Sequence, residues 1–213
     1  MSKESGKVAS YLLSVKAVQL NVKNPFTWAS GLKSPIYCDN RKLLSYADIR
    51  NEVKKILVEK SDQFGPPDII AGVATAGIPL GILLADSLEL PFIYVRSKAK
   101  GHGLKSKIEG HFEKGKKVLV IEDLISTGGS SLEAVNALRE EGLEVLGVMS
   151  VFSYELDIAK TNFKNASCPW MSLSGFPVLI QVAAEEKLIS ENDLLALRDW
   201  RINPQEWSEK NNK

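Results

Sequence analysis

The chain has 213 residues, 44% of them hydrophobic and 25% charged, which suits one soluble domain with a real core and excludes a disordered chain. Its 27 Lys and Arg against 26 Asp and Glu leave a net charge of +1, so no sequence-wide basic field exists to hold nucleic acid or an anionic membrane. Two distant cysteines, Cys38 and Cys168, suggest no disulfide framework. With a polar amino terminus and no apolar run of transmembrane length, they suit the reducing cytoplasm.

Taken in order, Val8, Leu12, Leu13, Val15, Ala17 and Leu20 recur at roughly helical spacing. Pro25 to Asn40 is aromatic and twice broken by proline, with a Ser30-Gly31 turn, and predicts two short strands joined by a loop. A charged amphipathic helix is expected from Tyr46 to about Glu59, ended by Gly65-Pro66-Pro67. A regular rhythm follows. Strands are predicted over Asp68–Ala74, Pro91–Arg96, Lys117–Asp123, Glu144–Tyr154 and near Trp170, with helices over Ile78–Ser87 and Ser131–Glu141 and from about Asp157.

Such alternation with near-continuous Val, Ile and Leu strands argues an α/β fold, a parallel sheet flanked by helices. Helices near Val178–Leu188 and Glu191–Trp200, the second opened by Ser190 and Asp193, finish the chain, and Ser208–Lys213 is expected to fray. The chain reads as one domain. Its core spans about 46–175, and a small cap forms from about 1–45 and 176–213. The four tryptophans, Trp28, Trp170, Trp200 and Trp207, are assigned to packing in that cap.

The informative stretch is Val118-Leu-Val-Ile-Glu-Asp-Leu-Ile-Ser-Thr-Gly-Gly-Ser-Ser131. A buried strand ends in Glu122 and Asp123, and a turn of hydroxyls and glycines then opens a helix. Ligands of open α/β sheets bind beyond the carboxyl ends of strands. Ser126, Thr127, Gly128, Gly129 and Ser130 can offer N–H groups, hydroxyls and a helix start to a phosphate. Gly128 and Gly129 permit close approach and left-handed backbone. Paired acids beside a phosphate cradle suit vicinal hydroxyls next to a phosphate, as in a ribose 5-phosphate. Two nucleotide motifs fail. Gly110 to Lys116 has P-loop glycine spacing, but Lys117 follows where Ser or Thr belongs, and Gly101-His-Gly103 lacks the third glycine of a dinucleotide fingerprint.

Glu122–Ser130 resembles the phosphoribosyl-pyrophosphate motif of type I phosphoribosyltransferases. Phe26–Asp39 resembles the base-binding segment of the orotate phosphoribosyltransferases, and Val95–Gly103 their mobile catalytic loop. The resemblance implies transfer of ribose 5-phosphate from phosphoribosyl pyrophosphate to orotate, giving orotidine 5-phosphate and pyrophosphate on the way to UMP. It implies that Glu122 and Asp123 hold the ribose hydroxyls, and that Leu124, Ile125 and Ser126–Ser130 form the phosphate-binding run. Ser126 and Tyr37 would meet orotate, and Thr75, Ala76 and Gly77 would form the pyrophosphate loop.

Arg96, Lys100 and His102 would close on pyrophosphate from a neighbouring subunit, Lys100, His102 and Asp123 being catalytic, in a homodimer with shared sites. Mg²⁺ is the implied cofactor, carried mainly by substrate oxygens and not by a protein metal site. Ala29, Ala76, Ser97 and Tyr154 depart from residues that some family members carry. Backbone N–H groups around Ser30 and Gly31 are therefore assigned to the orotate carboxylate. Lys33, Arg41 and His111 read as surface or structural residues, and Cys38 and Cys168 as packed thiols. A purine-using transferase and a non-catalytic nucleotide sensor are the alternatives; the amino-terminal segment argues against the first, and the intact catalytic loop against the second.

Overall fold

The computed structural model describes residues 2–28, 30–96 and 107–211. It begins with α1 (Lys3–Ser14), where the Ser2 hydroxyl accepts the Ser5 N–H at 3.1 Å. Then come β1 (Val18–Leu20), β2 (Phe26–Thr27), β3 (Lys33–Ser34) and β4 (Ile36–Cys38), in two antiparallel ladders, β1 with β4 and β2 with β3. A 3-10 helix over Asn40–Ser45 leads into α2 (Ala47–Ser61). The alternating part comprises β5 (Ile69–Val73), α3 (Gly77–Leu88), β6 (Phe92–Val95), β7 (Ile108–Glu109), β8 (Lys117–Ile125), α4 (Gly129–Glu140), β9 (Glu144–Ser153), α5 (Asp157–Asn165) and β10 (Trp170–Gly175). It closes with α6 (Phe176–Glu185), α7 (Glu191–Ile202) and α8 (Pro204–Lys210).

Among the described residues, six strands form one sheet in the order β10-β9-β8-β5-β6-β7, parallel except at the β6–β7 pair. This is the α/β architecture expected from the sequence. Strand alternation builds a core on each face. Leu119 and Ile121 of β8 join the cluster under α1, α2, α3, α6 and α7, whereas Val118 and Val120 join the one under α4 and α5. After β5 the chain adds β6 on one side and later β8 on the other. The carboxyl ends of β5 and β8 therefore flank the switch point of the sheet, where α/β proteins hold ligands.

Backbone approach at this point is close. A Cβ on Gly77, at the start of α3, would collide with the Ile121 carbonyl oxygen, so glycine lets the helix sit against β8.

Several expectations change. The first helix stops at Ser14, and Ala17 and Leu20 belong to or flank β1 instead; Lys16 takes a φ of 54° where the chain reverses. Trp170 is not a cap residue. It lies on β10 in the core under α4 and α5, its ring 5.0 Å from that of Phe163. The segment from Ser208 does not fray throughout, because Ser208 is buried on α8 and its hydroxyl accepts the Lys33 N–H at 2.8 Å. One hydrogen bond thus ties the last helix to β3. The capping box at Ser190 and Asp193 is formed as expected.

Candidate active site

β8 delivers the acids. Its apolar residues up to Ile121 are buried, and Glu122, only 5% exposed, continues that environment. Strand alternation alone would send neighbouring side chains to opposite faces. Here the Glu122 Oε1 folds back to accept the Asp123 N–H at 3.1 Å. Its Oε2 accepts the Ser130 and Ser131 hydroxyls at 3.4 and 3.3 Å. The two carboxyl groups still interact. Burial first, and then the charge of Asp123, push Glu122 up to about 8, and burial also raises Asp123. The pair therefore favours holding a proton at neutral pH, and can both donate to and accept from a vicinal diol.

Beyond the acids, Ser126 and Thr127 lead into α4, which starts at Gly129, two residues before the expected Ser131. Gly128 is the N-cap, with a φ of 82°, and the Asn162 side chain donates to the Thr127 carbonyl at 2.9 Å. Gly129 is not left-handed. A Cβ there would find nothing nearer than the Thr127 Oγ1 at 3.8 Å, so the space above it is open. The loop thus presents a twelve-residue helix start and exposed hydroxyls from Thr127 and Ser130. Ile125 places its side chain in the core. Its side chain is 1% exposed and its carbonyl accepts the Tyr154 N–H.

Leu124 and Ser126 instead line a second space, a cleft of about 400 Å³ completed by Thr27, Trp28, Tyr37, Cys38 and Tyr154. This is the size range of a small-molecule site. Tyr37 on β4 is partly exposed at one wall. Trp28 stacks on Tyr154 at 5.4 Å, and both meet the buried Trp200 edge-on at 5.8 and 5.6 Å. The Trp28 Nε1 donates to the Ile36 carbonyl at 3.0 Å, which fixes the ring. Trp28 and Tyr154 are thus both packing residues and cleft residues.

The Ser30-Gly31 turn exists, with Gly31 at a φ of 86°. Its assigned role does not hold for Gly31, whose N–H is committed to the Trp28 carbonyl at 2.8 Å and is not free for a carboxylate.

Thr75 and Ala76 form the turn between β5 and α3, with Gly77 buried beneath them. The Ala74–Thr75 peptide is cis. Arg96 follows β6, pairs with Glu109 at 3.2 Å, and lines a small crevice with Ala74, Lys107 and Ser130. Arg96, Ala74 of the β5–α3 turn and Ser130 at the start of α4 therefore meet within one chain, whereas the resemblance implied that Arg96 acts from a neighbouring subunit. Lys100 and His102 lie outside the described residues, as do Ser97 and Ala29. Arg41 pairs with Asp39 at 2.6 Å, and Lys33 bonds the Thr27 hydroxyl across the β2–β3 ladder, both structural contacts.

Sequence reading missed Asn40 and Asn162. Asn40 is 1% exposed, and its Nδ2 donates to the Asp123 carbonyl at 2.7 Å. Neither residue belongs to a period or motif; each reaches the site through a hydrogen bond to a main-chain carbonyl, 83 and 35 positions of chain away respectively.

Comparison with known proteins agrees with this geometry. Residues 42–172 match the phosphoribosyl transferase domain family. An orotate phosphoribosyltransferase of Bacteroides thetaiotaomicron is 50% identical over 203 residues, 93% of this chain and 94% of that protein. The chain belongs to the orotate phosphoribosyltransferase family. Among solved structures, orotate phosphoribosyltransferase from Aeropyrum pernix superposes with a TM-score of 0.74 at 27% identity, over 86% of this chain and 99% of that one. Leishmania donovani UMP synthase gives 0.79 at 29% identity over 92% of this chain, which spans only 42% of that protein's length. The acid-ended β8 and the α4 start lie within the matched residues.

Proposed function

We propose that this chain transfers the ribose 5-phosphate of phosphoribosyl pyrophosphate to orotate, yielding orotidine 5-phosphate and pyrophosphate in the synthesis of UMP. The observation that carries this is the adjacency of three surfaces at one sheet switch point. They are the Glu122–Asp123 pair, the hydroxyl-lined start of α4, and the aromatic cleft between Tyr37 and Trp28. The acids suit the ribose diol, residues 126–130 the 5-phosphate, and the cleft a flat pyrimidine with Ser126 at its edge. In this reading the turn over Thr75–Gly77 receives the departing diphosphate, with Arg96 closing on it from a neighbouring subunit.

The C1–O bond breaks with its electron pair passing to pyrophosphate, and orotate N1 forms the new bond to C1 as its proton departs. The described residues serve that exchange by alignment and by charge. Donors and cations aimed at the leaving oxygens are most effective in a site closed from water. In this reading Lys100 and His102 supply the cations of the closing loop, and do so across a homodimer interface. Mg²⁺ bound to the diphosphate would neutralise part of its charge. Such an ion keeps much of its shell as water and substrate oxygens. A cytoplasmic location belongs to the same reading, which the two free cysteines support.

Asp123→Asn tests the site directly. It should lower kcat/KM for phosphoribosyl pyrophosphate by about 10²–10³, the scale of one lost charge-bearing contact, with the ligand-free Tm not lowered. Unchanged kinetics would make the acids a mere strand end.

A further inference from the structure

Asn40 is buried between the base cleft and the ribose acids, and each polar atom of its amide has a partner. The Cys38 thiol donates to Oδ1 at 3.2 Å, and Nδ2 donates to the Asp123 carbonyl at 2.7 Å. A thiol beside one atom and a carbonyl beside the other leave one favourable orientation of the amide. Cys38 itself lines the cleft next to Tyr37, and burial with the nearby Asp123 and Asp39 charges keeps it a thiol, hence a donor. The 3-10 helix that carries Asn40 begins directly after β4, and the Asp39 N–H bonds the Ala17 carbonyl at 2.7 Å, holding that junction to the strand edge of β1. The route from the cleft wall to the acid-bearing strand is therefore Cys38, Asn40, Asp123.

We propose that Asn40 is a positioning residue for the transfer reaction: it holds the main chain at Asp123 in register with the base cleft, so that the ribose acid and the pyrimidine wall are set as one unit. The inference rests on the reading of Asp123 as a ribose ligand. Packing alone does not account for the arrangement. An apolar side chain could fill the same volume, but would leave the Asp123 carbonyl without this donor at the edge of a buried strand. Asn40 also lies between two segments that the reaction must align within fractions of an ångström, a setting in which small displacements cost rate.

A residue acting through Asp123 loses its effect once Asp123 is disabled, whereas a residue that merely supports the fold does not. The experiment is a double-mutant cycle on the full chain with Asn40→Ala, Asp123→Asn and the pair, read as kcat/KM for phosphoribosyl pyrophosphate with Tm alongside. Asn40→Ala alone should cost about 10–100-fold. Added to Asp123→Asn it should cost less than about threefold more. Multiplying effects would overturn the proposal and leave the Asp123 assignment intact. A harmless Asp123→Asn would remove both.

Should Asn40→Ala fail to fold, Asn40→Asp keeps the shape and the acceptor for Cys38. Its carboxyl can donate to the Asp123 carbonyl only when protonated. Its activity relative to the unaltered chain should then rise as pH falls from 8 to about 6. A flat ratio would count against the proposal.

Discussion

A carboxyl group that is 5% exposed, with two hydroxyl donors and a second acid beside it, does not titrate where a free glutamate does. Glu122 is pushed up to about 8 by burial and by Asp123. Between its ordinary value of 4.5 and 8, the folded chain holds a proton that the unfolded chain releases. The resulting stability is fully present below the lower value and is lost as pH rises through the upper one; the raised Asp123 has the same sign. The Tm of the ligand-free protein should therefore fall from pH 5.5 to 8.5. Glu122→Gln should flatten the fall by at least about 3 °C, the scale of roughly 1 kcal/mol in a domain of this size. Equal slopes in the two proteins would show that Glu122 is ionised throughout. The identity of the acids was legible in the sequence, because a buried strand ending in two carboxylates is a local pattern. Their raised proton affinity was not, since it depends on the depth of burial and on how the fold holds the second acid, against the opposing pull of Ser131.

The turn from β8 into α4 makes a sharper demand on its glycines than composition shows. Gly128 needs its positive φ, and a Cβ there would lie 2.6 Å from the Phe163 ring. Gly128→Ala should therefore lower Tm by at least about 3 °C, through backbone strain and overlap together. Gly129→Ala should leave Tm nearly unchanged. Its added methyl would occupy the open space where the proposed 5-phosphate would approach, raising KM for phosphoribosyl pyrophosphate severalfold. Equal thermal costs for the two would contradict the geometry.

At this scale most elements were readable, because apolar strands and amphipathic helices are periodic. The exceptions are short or tertiary. β7 has two residues and is held by its pairing with β6, and α8 is recognised by what Ser208 touches. Trp170 was misplaced for the same reason, since a tryptophan's neighbours are set by topology and not by its flanking sequence. The Ser30-Gly31 turn was read correctly as a turn, but its Gly31 N–H is not available to an anion because it closes the turn itself.

In the whole molecule, both chain ends pack against the sheet that carries the chemistry. Among the described residues, the larger core cluster runs from Val8 of α1 through Ile121 of β8 to Trp200 of α7. The aromatic cleft is made by this union, since Trp28 comes from the amino-terminal segment, Tyr154 follows β9, and Trp200 backs them both. Such a cleft could not be seen in sequence, because its walls meet only after the ends have folded over the sheet.

The proposed shared-site dimer makes a prediction at the same scale. Lys100→Ala and Asp123→Asn, each nearly inactive, should together recover roughly a quarter of full activity once subunits exchange, because half the dimers are mixed and each has one sound site. Demonstrated exchange with no recovery would place Lys100 in its own subunit's site.

The most direct test of the account as a whole is the reaction of the purified chain with phosphoribosyl pyrophosphate, Mg²⁺ and a single free base, followed by the base's ultraviolet absorbance. Orotate should be consumed, with loss of its absorbance, and adenine, guanine and hypoxanthine should show no comparable turnover. A purine consumed faster than orotate would contradict the assignment of the aromatic cleft and of the reaction it serves.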